Sequence, residues 1–258
     1  MINFVGAGPG APDLITVRGK RLLEEADVVI YAGSLVNPAL LSYTKNGCRI
    51  YDSAKMTLEE VLEVMLQAER AGERVVRLHT GDTSLYSTIR EQMDALEAQG
   101  IGTSVTPGVS AFSGAAASLK EEYTLPEVTQ SVIITRAEGR TAVPERESLR
   151  AFAAHGATMV LFLSASQAEK VQRELLAGGY PPGTPVAVVY KATWPEEKIL
   201  RTALGQLAEY MEKEEIRSTA LIIVSPALKG GAEYERSRLY SPDFSTGFRN
   251  GTEAESSR

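Results

Sequence analysis

The sequence predicts an α/β protein of two domains, each built on a mostly parallel sheet. Short apolar segments rich in β-branched residues alternate with longer amphipathic segments along all 258 residues. That alternation is typical of strands and helices in parallel sheets covered on both faces. The length suits one large domain or two smaller ones. Hydrophobic residues make up 43% and charged residues 23%, a balance that argues against disorder, collagen or coiled coil as the main architecture.

The first half contains five candidate strands, each apolar or β-branched and bounded by glycine, proline or polar residues. They are Ile2–Val5, Asp27–Tyr31, Cys48–Tyr51, Val75–Leu78 and Thr103–Thr106. A helix follows the third of them. It begins at Thr57, because Glu60 completes a capping-box pattern and apolar residues repeat at helical spacing from Val61 to Leu66. Gly72 marks the expected end of that helix.

The second half repeats the alternation. Its candidate strands are Ser131–Thr135, Thr158–Leu163, Val186–Tyr190 and Ala220–Ser225, and its candidate helices are Glu145–His155, Ser166–Ala177 and Leu204–Glu214. A polar segment over Lys120–Gln130 is interrupted by Pro126 and predicts the end of the interdomain connection. We therefore expect an N-terminal α/β domain at 1–115, a C-terminal α/β domain at 116–230 and a polar tail at 231–258 outside the core.

Charge and composition exclude several functional classes. The chain has 27 basic and 33 acidic residues, a net charge of −6 and a pI near 5.2, which disfavours a nucleic-acid-binding surface. One cysteine excludes an intramolecular disulfide framework, and two histidines argue against a metal centre. No apolar run approaches the ~18 residues that span a bilayer. The start of the chain lacks a signal-peptide pattern, so we expect a cytoplasmic protein without a membrane partner.

The first motif is Gly6-Ala7-Gly8-Pro9-Gly10, directly after the first strand. It suggests a dinucleotide loop, but the glycine spacing is not G-x-G-x-x-G, and Pro9 lacks the N–H that a phosphate needs. The end of the second strand and the residues after it, Ile30-Tyr31-Ala32-Gly33, also lack the acidic residue expected to bind ribose. A tight structural turn, a nicotinamide-dependent oxidoreductase and a non-catalytic nucleotide-binding module all remain open at this point.

The second motif, His79-Thr80-Gly81-Asp82-Thr83-Ser84-Leu85-Tyr86, joins the Val75–Leu78 strand to a helix. Ligands bind at the carboxyl ends of strands in open α/β sheets. Gly81 allows close backbone approach, and Asp82 offers a carboxylate to a cationic or hydroxyl-bearing ligand. Asp82 or Thr83 could equally cap the helix. We expect His79 to be packed or hydrogen-bonded rather than a catalytic base.

Two further sets of loops follow candidate strands. Thr106-Pro107-Gly108 leads into a helix of very small residues through Ala117, which suits either a flat ligand or tight helix packing. Arg136 and Arg140 follow one second-half strand, and Lys191 follows another. Arginine suits bidentate capture of carboxylates, while pairing with nearby glutamates is the alternative for each of these cations.

Taken together, five segments resemble the tetrapyrrole (corrin/porphyrin) methylases: GAGPGAPDLIT, VVRLHTGDTSLYS, TPGVSAFSGAAA, ITRAEGRT and VVYKATWPEEKI. The resemblance runs from Ile2 to Leu228. It departs from relatives at Ala11 and at Thr83, where many have aspartate and proline respectively. The last two segments are the more specific, and they imply methylation of carbon 11 of precorrin-4 or its cobalt complex in cobalamin biosynthesis. Another tetrapyrrole methylase, of the uroporphyrinogen or precorrin-2 type, is the alternative.

The resemblance also implies a methyl donor, a site and an assembly. The implied donor is S-adenosyl-methionine, which becomes S-adenosyl-homocysteine when its methyl group is transferred. The resemblance implies that the donor binds in a cleft between the two domains and that the protein is a homodimer. The implied cofactor-binding residues are Pro9, Gly81, Asp82, Leu85, Ser110, Ala111, Leu163 and Ala192. The implied contacts to an acidic tetrapyrrole are Gly8, Arg136, Arg140 and Lys191. No metal ligand is expected, and no residue is identified as a catalytic base.

Overall fold

The computed structural model describes residues 1–228, 233–234 and 237–252, and they form two compact units. One consists of Met1–Lys120, Val188–Leu200 and Glu215–Leu221. The other consists of Glu121–Ala187, Arg201–Glu214 and the described residues from Ile222 onward. The domain division expected at residues 115 and 116 stays a prediction. Of the predicted polar tail, only 233–234 and 237–252 are described, and the rest lies outside the described residues.

The first sheet is parallel throughout, as predicted. Its strands pair in the order β3-β2-β4-β1-β5. Because the pairing is parallel, the carboxyl ends of these strands lie at one edge of the sheet. The strands are β1 (Ile2–Gly6), β2 (Val28–Tyr31), β3 (Arg49–Asp52), β4 (Val75–His79) and β5 (Thr103–Thr106).

Helices cover this sheet on both faces: α1 (Val17–Glu25), α2 (Leu58–Arg70), α3 (Ile89–Glu97) and α4 (Ala111–Leu119). Alternate strand residues enter different cores, since Val28 and Ile30 of β2 pack in one apolar cluster and Val29 in the other. The capping box of α2 is confirmed. The Thr57 hydroxyl accepts from the Glu60 N–H at 3.3 Å, and the Glu60 carboxylate accepts from the Thr57 N–H at 2.7 Å.

The second sheet contains both parallel and antiparallel pairs. Its order is β6-β7-β10-β8-β9. The pair β6/β7 is parallel, but β7/β10 is antiparallel. The strand β9 was not predicted. The strands are β6 (Val132–Arg136), β7 (Thr158–Phe162), β8 (Pro185–Tyr190), β9 (Lys198–Ala203) and β10 (Ala220–Val224).

The three second-half helices are shorter than predicted: α5 (Leu149–Ala153), α6 (Ala168–Ala177) and α7 (Leu207–Lys213). Each follows a short 3-10 helix. Before α5, the backbone of Ser148 is extended and its hydroxyl accepts a hydrogen bond from the Ala151 N–H at 3.3 Å. Ser148 is therefore the N-cap of α5, and the helix begins after it rather than at Glu145. The 3-10 helices are Pro12–Leu14, Pro38–Tyr43, Ser53–Lys55, Glu145–Glu147, Ala165–Gln167, Leu204–Gln206 and Arg238–Tyr240.

None of the helices at 1–228 and 237–252 combines the length and apolar character that crossing a membrane requires. Over the same part of the chain, no three histidine, cysteine, aspartate or glutamate side chains lie together in a way that could hold a metal ion.

Candidate functional site

Four glycines bring together the loops that follow β1, β4 and β5. Gly8 and Gly81 exchange backbone hydrogen bonds of 3.1 and 2.8 Å. A Cβ on Gly6 would lie 2.6 Å from the Cα of Gly108, and a Cβ on Gly108 would lie 2.2 Å from the carbonyl oxygen of Gly81. Side chains cannot be accommodated at such distances, so the close approach of the three loops depends on glycine.

Asp82 braces two of these loops. One carboxylate oxygen accepts from the Gly108 N–H at 2.8 Å, and the other accepts from the Ser84 N–H at 2.9 Å and from the Ser84 hydroxyl. Partial burial alone would raise the pKa of Asp82, but these hydrogen bonds outweigh it and hold the pKa below its usual value. The helix-cap interpretation is wrong for both Asp82 and Thr83, because α3 begins at Ile89.

The loop between Asp82 and α3 has an unusual backbone. Tyr86 and Thr88 adopt φ angles of 53° and 50°, a left-handed region that non-glycine residues seldom occupy. The Ser87 hydroxyl donates to the carbonyls of Asp82 and Leu85, at 3.2 Å each. Leu85, predicted to contact the cofactor, is therefore held in a closed turn.

Ser110 and Ala111 begin α4 next to the same loops. A Cβ on Gly81 would lie 3.4 Å from the Ala111 backbone nitrogen. Ser110 is buried and occupies the N-cap position, yet its side chain makes no capping hydrogen bond. Further along α4, a Cβ on Gly114 would lie 2.8 Å from the Cβ of Pro9. The small residues of α4 therefore serve tight packing at this position.

The loop after β8 packs on the glycine-rich loop after β1. The Trp194 indole N–H donates to the Pro9 carbonyl at 3.1 Å, and the Ala11 N–H donates to the Thr193 hydroxyl at 2.9 Å. A Cβ on Gly10 would lie 2.1 Å from the Trp194 ring and 2.9 Å from the Ala192 carbonyl. We call residues 6–11, 79–88, 106–111 and 190–197 the loop cluster.

Lys191 belongs to the same loop but is already partnered. Its Nζ lies 3.7 Å from the Glu196 carboxylate and 5.2 Å from the centre of the Trp194 ring. Its φ angle is 48°. Of the twelve predicted site residues, the loop cluster contains nine: Gly8, Pro9, Gly81, Asp82, Leu85, Ser110, Ala111, Lys191 and Ala192.

The other three, Arg136, Arg140 and Leu163, lie in the second unit. Arg136 ends β6 opposite Phe162 of β7, so Leu163 follows at the neighbouring strand end. Leu163 is 62% exposed, and its φ angle of 54° is unusual for leucine. The Arg136 guanidinium donates to carbonyls of its own loop, at residues 137, 141 and 142. Arg140 is exposed within that loop.

His79 is packed, as expected, and it is not hydrogen-bonded through its distal nitrogen. Its ring stacks on Phe4 with centroids 6.0 Å apart, and only 4% of the residue is exposed. Among the residues that the structure describes, its Nε2 has no hydrogen-bond partner. Burial, aided by the charge of Arg77, lowers the pKa of His79 to about 3. The imidazole is therefore neutral and enclosed.

Sequence reasoning missed three residues of the loop cluster: Thr193, Trp194 and Glu197. They follow Lys191 and Ala192 directly and contact the loop after β1 or α4. Little in the sequence indicates that these residues contact other loops. Trp194 is the only tryptophan in the chain, but nothing local to it indicates a partner 185 residues away.

The chain belongs to the tetrapyrrole (corrin/porphyrin) methylases, because the model of that family matches residues 1–208. Among individual proteins, it is 55% identical over 248 residues to the cobalt-precorrin-4 C(11)-methyltransferase of Methanocaldococcus jannaschii. That alignment covers 96% of this chain and 95% of the relative.

Solved structures of methylases resemble the fold. The X-ray structure of a cobalt precorrin-4 methyltransferase, a cobalamin biosynthetic enzyme, matches with a TM-score of 0.86 and 48% identity over 88% of this chain and 95% of its own. The uroporphyrin-III C-methyltransferase of Thermus thermophilus, complexed with S-adenosyl homocysteine, matches with a TM-score of 0.74 and 30% identity. That match covers 91% of this chain and 96% of the neighbour.

Proposed function

We propose that this chain transfers a methyl group from S-adenosyl-methionine to carbon 11 of precorrin-4 or cobalt-precorrin-4. The observation that carries the proposal is the 55% identity to a cobalt-precorrin-4 C(11)-methyltransferase along nearly the full length of both chains. The more distant uroporphyrin-III methyltransferase, at 30% identity, is the alternative acceptor type. The nicotinamide interpretation of the glycine-rich loop loses its basis, because its glycines serve close packing.

The chemistry of the loop cluster supports a cofactor site there. It lies at the carboxyl edge of a parallel sheet, where α/β proteins bind ligands. The Ser110 side chain leaves the first turn of α4 without a side-chain cap, and the N-terminal end of a helix favours anionic and hydrogen-bond-accepting groups such as a carboxylate. These observations support Gly81, Asp82, Ser110 and Ala111 as cofactor-binding residues, with Asp82 acting through the loops that it braces.

The cofactor, when bound, supplies a methyl group on a positively charged sulfur, which is already strongly electrophilic. The protein's main task is then to hold the two reactants in line, an effect worth up to ~7–11 kcal/mol in ideal cases. The backbone contacts among Gly8, Gly81 and Gly108 suit that task. Loops packed backbone to backbone have little room to move, so they present a fixed surface.

Two titratable side chains of the loop cluster, His79 and Asp82, do not suit the role of a base. His79 is neutral and enclosed, with a pKa of about 3, and Asp82 uses both carboxylate oxygens to accept from Ser84 and Gly108. We therefore assign no side chain as a base. The conjugated pyrrole nitrogens of the acceptor make its ring carbon nucleophilic without one.

Arg140 is our first choice for a contact to the substrate carboxylates. Arg136 already donates to loop carbonyls, so removing it would also disorder its loop, whereas Arg140 is exposed in that same loop. We expect Arg140→Ala to raise the KM for the tetrapyrrole and to leave the affinity for S-adenosyl-homocysteine unchanged. A rise in the dissociation constant for S-adenosyl-homocysteine equal to the rise in KM would contradict this role.

Two measurements test the proposal. Calorimetric titration should show binding of S-adenosyl-homocysteine and none of NAD. Mass spectrometry of separate incubations with precorrin-4, cobalt-precorrin-4, precorrin-2 and uroporphyrinogen should show one added methyl group on a precorrin-4 acceptor only. Methylation of uroporphyrinogen instead would keep the family and reject the acceptor.

Assembly as a homodimer and a cytoplasmic location are further predictions. The resemblance supports the homodimer, and sedimentation velocity checks it through the mass of the particle. Fractionation of cells that express the chain checks the location. A monomer in the first measurement, or recovery with membranes in the second, would contradict the corresponding prediction.

A further inference from the structure

Glu197 joins the loop after β8 to helix α4. One of its carboxylate oxygens accepts hydrogen bonds from the Thr193 N–H at 2.6 Å and from the Ser118 hydroxyl at 2.5 Å. Its own N–H donates to the Trp194 carbonyl at 3.0 Å. Glu197 is half-buried, so both the loop and the helix are attached to a single carboxylate that is partly shielded from water.

The backbone that Glu197 holds is strained. Thr193 has a φ angle of 67° and Lys191 has one of 48°, and a β-branched residue such as threonine is a genuine outlier there. Such a conformation persists only where surrounding contacts enforce it. The N–H of Thr193 is bound by Glu197, and its hydroxyl accepts from Ala11. Glu197 is thus one of the contacts that keep the strained residue in place.

The strained loop in turn contacts the proposed cofactor site. Ala192 precedes Thr193, and its carbonyl lies against Gly10, while the Trp194 indole donates to the Pro9 carbonyl. We propose that Glu197 is a positioning residue for cofactor binding, which acts by holding Thr193 and so fixing Ala192 and Pro9 in the loop cluster. This inference rests on the proposed function, because it takes Pro9 and Ala192 as cofactor-binding residues.

The test compares S-adenosyl-homocysteine affinity at 20 °C in the wild type and in four variants, each first checked for folding by its melting curve. Glu197→Ala removes both accepted hydrogen bonds, and Glu197→Gln keeps a neutral acceptor of the same size. Ser118→Ala removes only the helix contact. Glu209→Ala is the matched control, because it removes the same charge from an exposed position on α7.

We expect the dissociation constant to rise about ten-fold in Glu197→Ala and about two- to five-fold in Ser118→Ala, since hydrogen bonds to a charged group are lost. Glu197→Gln should recover most of the affinity, and Glu209→Ala should match the wild type. In turnover, the KM for S-adenosyl-methionine should rise about ten-fold in Glu197→Ala while kcat changes less than about two-fold.

Fluorescence gives a second readout that does not depend on activity. Trp194 is the only tryptophan of the chain, so the emission spectrum reports on this loop alone. Glu197→Ala should shift the emission maximum to longer wavelength, because the indole leaves Pro9 for water. A residue that serves stability only would lower the melting temperature without moving the affinity at 20 °C or the emission maximum.

The outcomes separate the two proposals. Wild-type protein that fails to bind S-adenosyl-homocysteine would reject the proposed function itself. Wild-type binding together with unchanged affinity in Glu197→Ala would overturn the positioning role alone. If Glu197→Ala does not fold, Glu197→Asp decides, because its shorter side chain draws the carboxylate away from the Thr193 N–H, and unchanged affinity there would overturn the role equally.

Discussion

Replacing Asp82 with asparagine tests whether the loop cluster depends on a carboxylate. In the wild type the two carboxylate oxygens accept backbone hydrogen bonds from Ser84 and Gly108, at 2.9 and 2.8 Å. Asparagine has the same size, but its amide nitrogen must face one of these two N–H donors. The variant therefore loses one charge-assisted hydrogen bond and places a donor against a donor.

The expected cost follows from that geometry. A hydrogen bond to a charged group contributes about 1.5–3 kcal/mol, and the partial exposure of Asp82 favours the lower end of that range. For a protein of this size the melting temperature falls by roughly 2–4 °C for each kcal/mol, so we expect a decrease of about 3–8 °C. Because the braced loops contain the proposed cofactor residues, affinity for S-adenosyl-homocysteine should fall about ten-fold.

The pH dependence provides an internal check. The pKa of Asp82 lies below its ordinary value of 3.8 in the folded protein. The stabilisation is therefore fully present above the unfolded-state value and is lost as the pH falls through the folded-state value. The difference in melting temperature between wild type and Asp82→Asn should stay constant from pH 7 to about pH 5 and shrink below about pH 4. Unchanged melting temperature and unchanged affinity would together refute the bracing role.

Three further predictions concern packing and the tail. His79→Phe should weaken the dependence of stability on pH below neutrality. The pKa of His79 falls from 6.5 to about 3 on folding, so the wild type should lose up to ~1.4 kcal/mol of stability per pH unit between these values. An equal fall in the melting temperature of wild type and variant from pH 7 to 5.5 and 4 would contradict this. Gly108→Ala should lower the free energy of unfolding by at least about 1–3 kcal/mol, because its Cβ would lie 2.2 Å from the Gly81 carbonyl oxygen. Gly102→Ala is the control, because a Cβ there meets nothing within 4 Å, and equal denaturant midpoints for the two variants would exclude the steric explanation. Truncation after residue 230 should change the melting temperature by less than about 2 °C. The Arg249 guanidinium donates to carbonyls within the tail itself, at residues 239, 241 and 244, so these hydrogen bonds do not attach the tail to the core. A larger fall would show that the tail stabilises the core.

Local sequence patterns made some elements predictable. The capping box at Thr57 and Glu60 fixes the start of α2 within four residues of sequence, and both of its hydrogen bonds form. The central strands of the first sheet, β1, β2 and β4, are mostly buried and are therefore rich in apolar residues. Each was predicted to within a residue or so of its observed bounds.

Other elements depend on partners distant in sequence. In β9, Lys198–Ala203, half the residues are exposed and the rest are half-buried, so no apolar run indicates a strand. The antiparallel pairing of β10 with β7 cannot be deduced from the alternation of strands and helices, which suggests parallel pairing.

The candidate site was predictable to the level of the sheet edge. Gly8, Gly81 and Ser110 each follow a predicted strand, and parallel strands end at a common edge of the sheet. The role of Asp82 was not predictable, because the N–H that it binds is 26 residues further along the chain. The bond between Trp194 and Pro9 spans 185 residues, and only the folded chain brings them together.

The position of the transferred methyl group tests the proposed function most directly. The enzyme is incubated with precorrin-4 or cobalt-precorrin-4 and with S-adenosyl-methionine that carries carbon-13 in its methyl group, and the product is examined by carbon NMR. We predict a single labelled methyl group on carbon 11. Label on a different ring carbon, or no transfer to either acceptor by a protein that binds S-adenosyl-homocysteine, would contradict the proposed function.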